Sequence, residues 1–502
     1  MSSYIVSMPQ EERSGDLYSV KVDGKSLPLH IAYVSAVPYN RRWPGHQRPI
    51  DQREEVNFGG FSMDGPVEIE IMPARSFETV VVRPLSLGIT PAVENGTIRF
   101  TLKKPAYFTV ELDGYHHALH MFADAVDEYA TVDKTAPDVL YFGPGVHETD
   151  VLLLKSGQTV FVDEGAVVYC KGIAAYNADN VRILGRGILD NSRNVEKIIA
   201  EAPQDGTIAE AKAVLNDERT HFIQFGNCRN ILIDGVTLRD SLLYNISPDL
   251  CTGLEIRHTK LIGNWRYNSD GIDMHNCKNV HISDCFIRTY DDCICAKGFF
   301  LSTGFVRYAD FDVSVDDEVY ENMTVERCVL WNDWNTSMEV GANTCARHIR
   351  NIVWRNCDII HGSYTLMDIN DVDYAEVYNW LAEDIRCEYD EPAPTPMYQW
   401  TDDQPYEPHY EEEHQPALFS AAIIKHHEYS RFNKGRGRIH DVTLRNIKIN
   451  GIRKPILRFV GYDAEHLCEN ITVDGIWRGE ERLREEDLDI RKNEFTKNIR
   501  IL

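Results

Sequence analysis

From Asn180 onward the chain repeats one short unit: an Asn, an alternating apolar strand, a tight turn and a further apolar pair. The copies are NVRILGRGIL from Asn180, NILIDGVTL from Asn230, GLEIRHTKLI from Gly253, NVHISDCFI from Asn279, NMTVERCVL from Asn322, NIVWRNCDI from Asn351, HDVTLRNIKI from His440 and NITVDGIWR from Asn470. Recurrence at about 20–50 residues marks a solenoid or a propeller. Each copy has few helix formers and too few strands for a propeller blade. One copy therefore fits one coil of a right-handed parallel β-helix. Asn at the strand start suits a turn position in the left-handed region, and stacked copies predict an amide ladder.

The first 130 residues read differently. DLYSVKVDG, LPLHIAYV, GPVEIEIMP, TVVVRP and TIRFTLKKPAYFTVELDG are short strands separated by Gly, Pro and Asp-Gly turns. This predicts an all-β chain with an N-terminal β-sandwich over 1–130 and the β-helix over 131–502. His116 and His117 are expected to be structural or to lie at the seam. The repeat breaks at about 193–219, where the sequence looks helical, at about 299–321, a polar loop, and at about 385–437, rich in Tyr, Pro and acids. Insertions loop out of a solenoid, often beside its binding face, so the last is expected to act as a lid or sugar-stacking wall.

The net charge is −26. Such a surface repels nucleic acid and anionic membranes, so neither is expected as a partner. The N-terminal MSSYIVSMPQEERSGD has no basic and apolar leader, which makes a cytoplasmic address the expectation,. The chain has 12 cysteines, several in apolar strand segments, where buried thiols are expected,. Cys293 and Cys295 stand two apart, on one strand face, without a second CxC or a His pair at zinc spacing,. No metal and no cofactor are expected. A homo-oligomer is compatible with the sequence.

The chemistry concentrates in NSDGIDMHNCKNVHISDCFIRTYDDCICAKG, residues 268–298. Asp270 and Asp291, and likewise Asp273 and Asp292, are separated by close to one coil, so each pair is expected to stack,. A bend or bulge at Tyr290 would turn the adjacent Asp291 and Asp292 outward together. Clustered carboxylates raise one another's pKa, so that a proton donor and an ionised base coexist. Glycoside hydrolysis needs such a pair. The same acids also suit a calcium site or turn-capping aspartates.

NSDGID followed by YDDCICAKG resembles the NTDG…DDCIAIKSG signature of glycoside hydrolase family 28, the polygalacturonase family. It also resembles the related dextranase and isopullulanase family, whose β-sandwich ahead of a β-helix is the better likeness. The resemblance covers roughly residues 138–480. It implies inverting hydrolysis, with Asp291 as general acid and Asp270 and Asp292 as the base pair, about 6.5–9.5 Å separating acid from base.

Two departures bear on the substrate. Where polygalacturonases continue with Gly-His-Gly, this chain reads WNDWNTSMEVGAN; Thr336 stands near the missing histidine, and Glu339 is an extra acid that either binds a sugar hydroxyl and assists the base or is a surface residue. His426 and His427 are alternative histidines. Where the family holds the uronate with Arg-Ile-Lys, HGSYTLMDIND offers Asp368 and Asp371 instead. Carboxylates there repel a uronate and accept bonds from hydroxyls, so a neutral sugar is expected. Asp273, Lys297, Asn268, Arg266, Trp265, Tyr244, Asn245, Trp331 and Trp334 are further substrate-site candidates, the aromatics as stacking faces. Lys297 is expected to keep one carboxylate ionised. The expected activity is exo-hydrolysis of imported oligosaccharides. The competing readings are a galacturonide hydrolase, a calcium-dependent lyase and a carbohydrate-binding protein without catalysis.

Overall fold

The computed structural model describes residues 2–36, 53–126, 129, 131–194, 221–266, 268–298, 319–389, 397–398, 407–408, 415–426, 429–430 and 434–502. The histidine at 427 and most of the three insertions lie outside them.

Strands between Ser3 and Ala125 form one six-stranded and one five-stranded sheet. Val20, Val22, Ile69, Ile71 and Phe100 from one sheet meet Phe61, Phe108, Val110 and Met121 from the other in a shared core. That is the β-sandwich.

From Val139 to Ile501 the described strands pair in parallel, with two antiparallel exceptions: Glu481–Arg482 against Trp477–Arg478, and the separate pair Met397–Tyr398 with Glu407–Pro408. The architecture is a right-handed parallel β-helix. A representative coil runs Ile272–His275, Lys278–Ser283 and Phe286–Thr289. These pair with Ile294–Lys297, Val319–Glu326 and Val329–Asn332 of the following coil. Successive coils so build three sheets, here called one, two and three in chain order. Val319–Glu326 and Ala417–Ile423 are ladder strands, which makes the second and third insertions shorter than the repeat breaks suggest.

The Asn recurrence has the expected cause. Asn180, Asn230, Asn279, Asn322, Asn351, Asn379 and Asn470 all have positive φ, as does Gly253 in the corresponding place. Asn322 donates its side-chain amide to Asn279 at 3.0 Å, Asn351 to Asn322 at 2.9 Å and Asn379 to Asn351 at 3.1 Å. Asn tolerates the left-handed conformation, and its amide is donor and acceptor at once, so one residue type serves turn and ladder together. The interior stacks aliphatic side chains and thiols, with Cys228, Cys251 and Cys277 in one column. All 12 cysteines are buried.

The sandwich packs against the outside of sheet three. Val56, Phe58 and Phe122 meet Ile262, Phe286, Val329 and Trp331 there. Trp331 is therefore a seam residue, not a sugar platform. It lies under the Arg288 guanidinium at 3.6 Å and bonds Asp333 through Nε1 at 2.8 Å. His116 ion-pairs with Glu54 within the sandwich.

Candidate active site

The carboxylates gather at the corner where sheet three turns into sheet one. The chain bends from Tyr290 to Cys293, between Phe286–Thr289 and Ile294–Lys297. Asp291 and Asp292 therefore sit on a corner, where strand alternation does not apply. The corner is tied down by its backbone: Thr289 Oγ1 and Asn332 Nδ2 both donate to the Asp291 carbonyl, each at 2.6 Å. Tyr290 is buried and stacks on Trp334, with rings 5.4 Å apart and 9° from parallel.

The stacking differs from the sequence expectation by one position at Asp270 and by three at Asp273. Ile272 stands against Ile294 and Asp273 against Cys295, while the Gly271 N–H bonds the Asp292 carbonyl at 2.8 Å. Asp270 is thus the rung neighbour of Asp292, and Asp273 faces Cys295. The bent corner adds a residue that regular coil spacing does not reveal. One oxygen each of Asp270, Asp291 and Asp292 lies within 4.8 Å of the others. That is shorter than the expected acid–base separation.

Sheet one carries the rest of the site as a file of outward side chains. Asp273, Cys295, Glu339, Asp368 and Ser420 occupy successive rungs. The alternate positions Met274, Ala296, Met338, Val340, Met367, Ile369, Phe419 and Ala421 point into the core. Glu339 is buried, so it is not a surface glutamate. Its Oε2 accepts from Cys295 Sγ at 3.4 Å. Asp292, Cys295 and Glu339 form a second cluster within 4.8 Å. Cys293 instead turns into the core, so the two cysteines do not share a face.

Lys297 is the cation at the centre. It bonds Asp273 and reaches Asp270 at 3.5 Å, with its ammonium 5.2 Å from the Tyr244 ring centroid. Burial disfavours its charge, but Asp273 and the other acids raise its pKa well above the lysine value. Burial alone would raise Asp273; Lys297 overcomes this and holds it below the usual carboxylate range. Asp270 moves the opposite way, raised by burial and by the Asp273 and Asp291 charges. Asp292 is raised by burial, Glu339 and Asp291. Asp291 is intermediate at about 6: burial pushes it up, while Lys297, the Asn268 N–H and the Asn335 amide pull it down. Those two donors lie at 3.1 and 3.2 Å.

The remaining candidates divide. Tyr244 faces the cluster, since Lys297, Asp270, Asp273 and Asp291 all act on its phenol. Asn268 contributes its backbone N–H. Trp334 is half-buried beside the corner. Asn245 is fully buried, and its amide is used on Asn264 and on the Asp270 carbonyl, so it braces the corner and does not bind sugar. Trp265 is buried against Leu242 and Leu243, which removes it as a stacking face; Arg266 is buried with its guanidinium 5.7 Å from that indole. Thr336 binds Asp292 through its N–H at 3.0 Å. His426 is held by Ser430 and packs on Tyr429. Two histidines lie beside the site: His221, whose ring packs tilted by 31° on Tyr244 at 4.5 Å, and His275, whose charge acts on Asp273. Asn335, Asn332 and His221 carry no motif that would single them out.

Residues 157–300 match the family described as Glycosyl hydrolases family 28. That span contains Asp270, Asp273, Asp291, Asp292 and Lys297. The chain is a glycoside hydrolase related to family 28. The hydrolase is 24% identical over 421 residues to isopullulanase of Aspergillus niger, covering 74% of this chain and 69% of that protein. It is 26% identical over 178 residues to a polygalacturonase of Gossypium barbadense, covering 32% of this chain and 40% of that one. Its fold is similar to that of Dex49A from Penicillium minioluteum, with a TM-score of 0.54 and 14% identity across 99% of this chain and 90% of that one.

Asp368 allows a stability test of the hydrolase's electrostatics. Burial and the Glu339 charge raise it to about 8. Its unfolded value is about 3.9. Between these pH values the unfolded chain gives up a proton that the folded one keeps, so stability falls as pH rises. Asp368→Asn removes that loss. Its melting temperature is expected to exceed the wild-type value at pH 8, with the gain vanishing towards pH 4. A gain independent of pH would show that burial does not strain the carboxyl.

Proposed function

We propose that the hydrolase cleaves a neutral oligosaccharide with inversion, using Asp291 as general acid and Asp270 with Asp292 as the base pair. The observation that carries this reading is the corner cluster, in which one oxygen each of Asp270, Asp291 and Asp292 lies within 4.8 Å of the others beside the Lys297 ammonium. Asp291, at about 6, retains a donor proton in mildly acidic solution. The close oxygens of Asp270 and Asp292 suit one water hydrogen-bonded to both, because two bonds of about 2.8 Å span such a gap. Deprotonating that water leaves the proton shared between neighbouring carboxylates, and the group titrates as a unit. Lys297 keeps the cluster from becoming wholly neutral. With no cation among the described residues at the Asp368 rung, the reaction centre favours hydroxyls over a uronate.

The connections support exo-action on oligosaccharides. Ile188–Asp190 to Ile223–Gly226, and Arg386–Cys387 to Ala417–Ile423, are both sheet-three-to-sheet-one junctions. The first and third insertions therefore leave the coil along the edge that carries the acids, on either side of them.

The short oxygen spacing favours a second reading, retention through a glycosyl-enzyme intermediate, for which about 5–5.5 Å is usual. NMR of the first-formed anomer, in a screen of neutral and uronic oligosaccharides, decides between them. Inversion on neutral glycosides is expected. A retained anomer would overturn the mechanism, activity confined to galacturonides would overturn the neutral substrate, and EDTA-sensitive formation of unsaturated products would establish a lyase. The alkaline limb of kcat/KM is expected at or above about 6, not in the ordinary carboxylate range.

A further inference from the structure

The outward file of sheet one continues past the acids. Ser420 stands against Arg458, and Arg458 against Arg491. The flanking Leu457 and Phe459 point into the core, so Arg458 emerges on the same face as Glu339 and Asp368. Rungs are spaced by about 4.8 Å, which puts the Arg458 backbone about 10 Å beyond Asp368 and about 14 Å beyond Glu339. The stretch HGSYTLMDIND itself has no Arg or Lys. The cation comes from far along the sequence and enters by stacking. Arg491 is already engaged by Asp489 at 2.7 Å. Arg458 is exposed and forms no ion pair with a described carboxylate. The file therefore runs from buried acids at the reaction centre, across a neutral serine, to an exposed guanidinium.

We propose that Arg458 forms a distal subsite for an anionic substituent, a carboxylate or sulfate, carried on the oligosaccharide away from the scissile bond. The inference rests on the hydrolytic reading of the corner and deepens it: the substrate is neutral where it is cut and acidic at a remote residue. An anion near Glu339 is repelled by its charge, whereas one seated at Arg458 meets a planar fork of donors suited to oxyanions. The spacing makes this a length-dependent preference. Chains too short to reach from the corner to Arg458 gain nothing from the charge.

The competing role for Arg458 is counter-ion to Asp368, on which it acts electrostatically. The test separates the two. Neutral oligosaccharides of about three to five sugars are compared with the same chains carrying a terminal uronic acid or a terminal sulfated sugar. Wild-type enzyme is expected to show a lower KM for the charged chains, and Arg458→Gln to collapse that preference by about tenfold or more. Equal losses on neutral and charged chains would make Arg458 a counter-ion and overturn the subsite. No wild-type preference would overturn it as well. A response to sulfate alone or to carboxylate alone identifies the group. Calorimetric binding of the charged chains to Asp291→Asn, with and without Arg458→Gln, reads the subsite independently of turnover. If binding depends on Arg458 while the wild-type protein cleaves no glycoside, the hydrolytic reading fails and the anion subsite stands.

Discussion

Asp291→Asn is expected to lower kcat by about 10²- to 10⁴-fold while leaving KM within a few-fold of wild type, the range associated with losing a general acid. The reasoning starts from what surrounds the carboxyl. Asp291 receives N–H groups from Asn268, Asp292 and the Asn335 side chain, and its carbonyl is tied by Thr289 and Asn332. An amide of nearly the same shape keeps an oxygen for Asp292 and Asn335 and gives up only the bond from Asn268, while the ties to the carbonyl remain, so the fold is retained and most of the loss lies in chemistry. The leaving-group dependence is the sharper readout. An aryl glycoside whose phenolate leaves without protonation needs no acid, so the variant should recover much of the wild-type rate on it. Equal losses on activated and unactivated substrates would remove Asp291 from the acid role. Wild-type turnover on both would remove it from catalysis.

The solenoid was legible because its cause is local. Asn at each left-handed position and apolar alternation between corners act within one coil, so each copy shows them. The Asp motifs were legible for the same reason. The pairing of Asp270 with Asp292 was not, because it depends on how many residues the corner at Tyr290–Cys293 consumes, and alternation carries no information about a bend. The place of Glu339 stayed open between site and surface, and Arg458 was not singled out, for a related reason. Whether an outward residue is buried, and which rung it joins, is decided by the lengths of the connections between coils. The 385–437 break separates Asp368 from Ser420 in sequence while the ladder makes them neighbours. Trp265 and Trp331 look alike as sequence, yet one fills a pocket behind Leu242 and Leu243 and the other lies in the seam with the sandwich.

Lys297→Met is expected to damage both stability and activity, and the pH dependence identifies the cause. Lys297 is buried, bonds Asp273 and reaches Asp270. Removing one partner of a buried pair leaves an uncompensated charge and costs about 3–5 kcal/mol. Asp273 has a folded pKa below its unfolded one, so its contribution is present above about 3.9 and is lost as pH falls through the folded value,. Lys297 has a folded pKa above its unfolded one, so its contribution holds below about 10.4 and is lost only as pH rises through the folded value,. The difference in stability between wild type and variant is therefore expected to be full near neutral pH and to shrink in acid. There, protonation of Asp273 relieves the variant and removes the wild-type pairing. Denaturant unfolding at pH 4 and pH 7 measures this directly. In catalysis, loss of the one ammonium within reach of these acids among the described residues raises the carboxylates further. The acidic limb of kcat/KM should then move to higher pH by at least about one unit. Lys297→Arg keeps the charge and should preserve most of the stability at neutral pH. Its larger planar head misplaces Asp270, so it should recover less activity than stability. A methionine variant with wild-type stability at both pH values would mean that Asp273 is not held ionised by Lys297, and an unmoved acidic limb would separate the lysine from the catalytic acids.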